Sequence, residues 1–101
     1  MKNDDLIRKL NSVGKQVFVE QFDIFRQYAF GKVTREQSIA ILVDRGVSND
    51  SGAAIRVGNA KIIFDNNGEL DALGIIIESK RLPKTVVKEA LRIINEISKV
   101  N

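Results

Sequence analysis

The sequence contains no cysteine and no histidine. Without cysteine there is neither a disulfide nor a thiolate zinc site, which fits a reducing compartment. Without histidine the commonest general base and the commonest metal ligand are missing, together with every Ser-His-Asp or Cys-His pair. A carboxylate-only active site is a poor fit to a chain of 101 residues, so no enzymatic activity, metal or cofactor is expected. Long hydrophobic runs are also absent. "MKNDDLIRKL" carries two acids and no apolar run, so no signal peptide is expected, and no later stretch is long enough to span a bilayer. The expectation is a cytoplasmic protein with no membrane partner. Phosphate and calcium motifs fail as well. "SVGK" lacks the spaced glycine and the Ser/Thr of a P-loop, and no G-x-G-x-x-G occurs. "DNNGEL" puts its glycine fourth rather than sixth, with no glutamate to close a calcium loop.

What is present describes one small globular domain over residues 1–101. Hydrophobic residues make up 44% and charged residues 29%, enough apolar surface for a single core. The net charge is +3 and the pI near 9.4, which permits nucleic-acid binding without requiring it. Distribution says more than the total. Arg26, Lys32 and Arg35 occur together without an intervening acid, and Lys80, Arg81, Lys84, Lys88 and Arg92 are interrupted only by Glu89. Elsewhere the signs alternate, as on a solvated surface.

The single proline and the spacing of glycine and polar clusters suit a helical bundle. "NDDLIRKLNSVG" offers Asn3 as an N-cap, acids in the first turn, and Leu6, Ile7 and Leu10 on one face; Gly14 can end that helix in the left-handed conformation. In "KQVFVEQFDIFRQYAFG" Phe18, Phe22, Phe25 and Ala29 fall within about 60° of one another at helical spacing. With Phe30 the stretch holds four of the five phenylalanines, so this helix is expected at the centre of the core, around Phe22 and Phe25. "TREQSIAILVDRGV" opens with Thr34 and Gln37 in capping-box spacing. Ile39, Leu42 and Val43 share a face there, and Gly46 suits the position just past the end, with Val47 folding back as the apolar residue of the cap. In "RLPKTVVKEALRIINEISKV" Pro83 suits a first-turn position, and Val86, Ala90, Ile94 and Ile97 make a stripe.

The stretch "SNDSGAAIRVGNAKIIFDNNGEL" admits two readings. As a β-hairpin across Lys61 to Ile77 it lacks alternation, because Ile62, Ile63 and Phe64 are consecutive. As a helix, Ala53, Val57, Ala60 and Phe64 cluster on one side, Ser48 or Asp50 can cap it, and "DNNG" serves as a turn between helices. Helix is the reading adopted. "TREQSIAILVDRGVSNDSGAAIRVGNA" then resembles a helix-turn-helix DNA-binding domain over about residues 34–64. "GVS" stands in the turn, and Leu42 and Val47 stand where such domains pack their core. Gly52 departs from the pattern by standing where the family has an apolar residue, so the turn is expected to be longer than usual. The longer "VGKQVFVEQFDIF" with "SGAAIRVGNAKIIF" is similar to helical modules fused to phage and restriction-type proteins, with no catalytic signature beside it.

The expected fold is therefore all-α: a bundle of five or six helices with a helix-turn-helix-like pair and a short helix at "ELDALGIIIES". The resemblance implies a regulatory or phage-type protein that binds double-stranded DNA. Ser51, Ile55, Arg56 and Asn59 would face the major groove, and Arg35, Lys61, Lys80, Arg81 and Lys84 would hold phosphates. The alternative is a protein-interaction or homo-oligomerisation module, docking through Ile55 and Ile62 with no nucleic-acid role.

Overall fold

A computed structural model describes residues 1–99 and contains seven helices and no strand among them. They are α1 (Asn3–Val13), α2 (Lys15–Glu20), α3 (Phe22–Ala29), α4 (Arg35–Asp44), α5 (Asp50–Asp65), α6 (Glu69–Ile77) and α7 (Lys84–Lys99). The hairpin alternative is excluded: Lys61 lies inside α5, and "DNNG" joins α5 to α6. The all-α expectation holds, with one helix more than the upper count. The extra helix arises because "KQVFVEQFDIFRQYAF" bends at Gln21 (φ −109°, ψ 17°). There the Gln21 carbonyl accepts from the amides of both Ile24 and Phe25 at 3.1 Å, and Arg45 Nη1 reaches in from beyond α4 to donate to Gln21 Oε1 at 2.7 Å.

Helix ends follow local chemistry. Thr34 and Gln37 form the expected capping box, with Gln37 N donating to Thr34 Oγ1 at 3.0 Å and Thr34 N to Gln37 Oε1 at 2.8 Å. After α4, Gly46 takes φ +74°. Its amide bonds to the Val43 carbonyl and the Val47 amide to the Leu42 carbonyl, both at 3.0 Å, a paired cap that folds the chain back onto the core. Helix α5 ends the same way with Asn67 in the left-handed position (φ 55°), asparagine being among the few non-glycine residues that tolerate it. Two expected starts move by one residue. Lys2, not Asn3, occupies the N-cap position of α1 and makes no side-chain cap bond. Asn49, rather than Ser48 or Asp50, caps α5 by accepting from Gly52 N at 2.9 Å. Gly14 has the expected positive φ (+92°), but its ψ of 123° turns the chain sharply into α2 instead of continuing a left-handed cap.

The centre of the molecule is α5, on which α1, α3, α4 and α6 all pack. Its Ala53, Val57, Ala60, Ile63 and Phe64 are buried, and the two alanines let neighbouring helices approach closely. The aromatic core gathers on the fully buried Phe18, whose ring centroid lies 5.6 Å from Phe22, 6.2 Å from Phe25 and 6.0 Å from Phe64. Phe30 is not a core residue: it stands just past the end of α3, 59% exposed, and touches Phe64 only edge-on. In α7, Val86 and Ala90 are buried as expected, but Ile93 completes the stripe, with Ile94 and Ile97 only partly buried. The expected last residue of that helix, Val100, lies outside the described residues.

Candidate interaction surfaces

Helices α4 and α5 form a packed pair, joined by residues 45–49. Leu42 is fully buried and Val47 packs against the core. The buried apolar stripe of α5 starts at Ala53.

The outer side of α5 carries Ser51, Ile55, Gly58, Ile62 and Asn66, which fall within about 80° of one another at 100° per residue. Ile55 is 58% exposed and Ile62 37%. A Cβ added at Gly58 would meet nothing within 4 Å. None of these five residues is charged. Asn59, at the edge of the stripe, donates its side-chain amide to the Ile55 carbonyl at 3.0 Å, within its own helix.

The two cations of α5 both have partners, Arg56 within the fold and Lys61 in a surface pair. Arg56 Nη1 donates to the Val13 carbonyl at the C-terminal end of α1, lying against Gly14, while its Nε is buried without a partner. Helix α1 has no basic residue in its own last turn, so Arg56 supplies the cation that a helix C-terminus favours. Lys61 pairs with Asp65 at 2.7 Å and sits 5.9 Å over the Tyr28 ring. The Asp65 carboxylate holds the Lys61 ammonium above its ordinary pKa by hydrogen bonding and charge. Acid flanks the stripe at Asp50 in the first turn and Asp65 in the last.

The remaining expected phosphate contacts lie elsewhere. Arg35 opens α4 and is exposed. Lys80, Arg81 and Lys84 are exposed at the corner between α6 and α7. Helix α4 packs on α3 and α5, whereas α7 packs on α6 and α2, so Arg35 and the corner belong to different parts of the bundle. At the corner Lys80 and Lys84 line a groove of about 360 Å3 together with Lys88, over Ile77, Leu82 and Val87. The charge run in the sequence pointed to Lys88. The apolar floor has no sequence signal, because it is assembled from the end of α6, the loop and one face of α7.

Arg92, the last member of that charge run, turns away to form an ion pair with Glu89, with Nη2 2.6 Å from Oε1. Hydrogen bonding to Arg92 holds the Glu89 carboxyl below its usual range. Both residues line a second cleft of about 480 Å3 beside Asp23, Arg26 and Arg45, floored by Phe22 and Ile93. Arg45 bridges Gln21 and Asp23 there, and Glu20, Arg26 and Glu96 complete the charged lining. At the start of α6, burial pushes the Glu69 carboxyl above its ordinary pKa, opposed by a backbone hydrogen bond and by the charge of Arg26. Among the described residues no group of acids is arranged to hold a metal ion, and no helix is long and apolar enough to cross a membrane. No protein-family model, curated protein or solved structure matches the chain.

Proposed function

We propose that this protein is a non-enzymatic self-association module that docks a second copy of itself through the outer stripe of α5. The observation that carries the reading is the pairing of two exposed isoleucines, Ile55 and Ile62, with a stripe that bears no charge. A second copy can cover such a surface without burying an ion, which would cost several kcal/mol per unpaired charge. Antiparallel packing of α5 on its copy, centred near Gly58, sets Ile55 of one chain against Ile62 of the other. A single helix pair is at the small end of stable interfaces, so the association is weak and concentration-dependent.

Double-stranded DNA is the second reading, supported by the exposed cations Lys80, Arg81 and Lys84. On α5 itself this reading is left with Ser51, Ile55 and Lys61, whose pair with Asp65 lies at the surface, since Arg56 is engaged within the fold and Asn59 bonds its own backbone. Sedimentation over a range of concentrations, run beside fluorescence anisotropy with random duplex at two salt concentrations, separates the two. Self-association abolished by Ile55→Glu or Ile62→Glu, without salt-dependent duplex binding, is the expected result. A monomer at every concentration that binds duplex with a steep salt slope, flattened by Lys80→Ala with Arg81→Ala, would replace it with the DNA reading.

A further inference from the structure

The groove at the α6–α7 corner is a second surface, built from chemistry that the α5 stripe lacks. Its floor is apolar and half-buried, formed by Ile77, Leu82 and Val87. Its rim is cationic, formed by the exposed Lys80, Lys84 and Lys88, with Arg81 in the same loop. No acid lines it, and no ion pair among the described residues engages any of the three lysines. Every ion pair in that set is made by other cations, so this is a place where positive charge gathers without local compensation.

We propose that this groove docks an acidic peptide segment of a partner protein, with an apolar side chain seated on the floor and carboxylates meeting the lysines. Shape and chemistry together choose this occupant among anions. A duplex phosphate backbone brings charge but nothing for the apolar floor. A free phosphate ion would need convergent, fixed donors, whereas lysine ammoniums are point charges on flexible stems. An acidic segment with an apolar anchor matches both parts of the groove, in the manner of other peptide grooves that pair side-chain pockets with charge.

The test uses two fluorescein-labelled peptides of equal length and charge, one with two leucines among glutamates and the other with serines replacing the leucines. Anisotropy should show the leucine peptide binding at least about tenfold more tightly, the factor expected from seating one apolar side chain. Lys80→Glu with Lys84→Glu should abolish binding of both. Leu82→Asn should erase the leucine preference alone. Ile55→Glu should leave peptide binding unchanged, which keeps this site separable from self-association through α5. Thermal melts of each variant establish that it remains folded. Equal binding of the two peptides, or binding of neither, overturns the proposal. Random duplex DNA or anionic phospholipid vesicles binding more tightly than the leucine peptide, through the same lysines, would also overturn it and assign the groove to that partner.

Discussion

Arg56→Met should destabilise the protein without removing any surface contact. The arginine sits between α5 and the α1–α2 junction, where its guanidinium donates to the Val13 carbonyl. A hydrogen bond to a charged group contributes about 1.5–3 kcal/mol. A cation at a helix C-terminus adds about 0.3–1 kcal/mol, more when partly buried. Against this, methionine retains much of the stem packing and removes the buried Nε that has no partner, whose desolvation costs about 1–3 kcal/mol. The central values leave a net loss of about 1 kcal/mol. For a domain of this size that lowers the melting temperature by about 4–8 °C. Far-UV circular dichroism melts measure it, with duplex-DNA anisotropy on the same samples. An unchanged melting temperature with weakened duplex binding would refute the placement of Arg56 and restore it as a DNA contact.

Phe18→Ala removes the ring on which Phe22, Phe25 and Phe64 converge and should cost about 3–5 kcal/mol, comparable with a small domain's whole stability; a urea midpoint near the parent's would contradict that core. Glu69→Gln should raise the melting temperature at neutral pH, because burial lifts the folded-state pKa of Glu69. The proton is then held more tightly in the folded state, so the carboxyl helps stability below its ordinary value of 4.5 and loses that benefit as the pH rises through the raised value. The gain from Gln should therefore shrink toward zero as the pH is lowered below 4.5. Melts in which the mutant is the less stable at neutral pH would show that the helix-start position, and not burial, dominates. Glu89→Gln runs the opposite way, since Arg92 holds its pKa low: the small stability of that exposed pair is present at neutral pH and disappears as the carboxylate protonates in acid.

The helices were readable because their apolar periods are strong, and α5 is the best case: Ala53, Val57, Ala60 and Phe64 are all buried as their spacing requires. Caps with paired signals, such as Thr34 with Gln37, were also readable. Where several neighbours had equal chemistry, the sequence could not choose. Ser48, Asn49 and Asp50 are all good N-caps, and the backbone geometry selects Asn49. The bend at Gln21 was hidden because the phenylalanine stripe continues through it, and the bond from Arg45 spans 24 residues. The same long-range dependence hid the destination of Arg56. A flank position on α5 reads as a free cation until α1 and Val13 are placed beside it. The helical period put Ile55 and Ile62 on the side away from the buried stripe, but it could not tell whether another helix covers them. The apolar floor of the corner groove was not, because it joins two helices and a loop.

Self-association through α5 is tested most directly by a single cysteine. The chain has none, so any disulfide formed reports the position chosen. Gly58 can accept a side chain without steric conflict and lies at the proposed twofold centre, where Cα atoms of two copies would need to come within about 7 Å to be bridged. Under mild oxidation, Gly58→Cys should form a disulfide-linked dimer much faster than Glu36→Cys on the exposed start of α4, and Ile62→Glu should suppress it. Equal, slow cross-linking at both positions, unaffected by Ile62→Glu, would contradict docking through the outer stripe of α5.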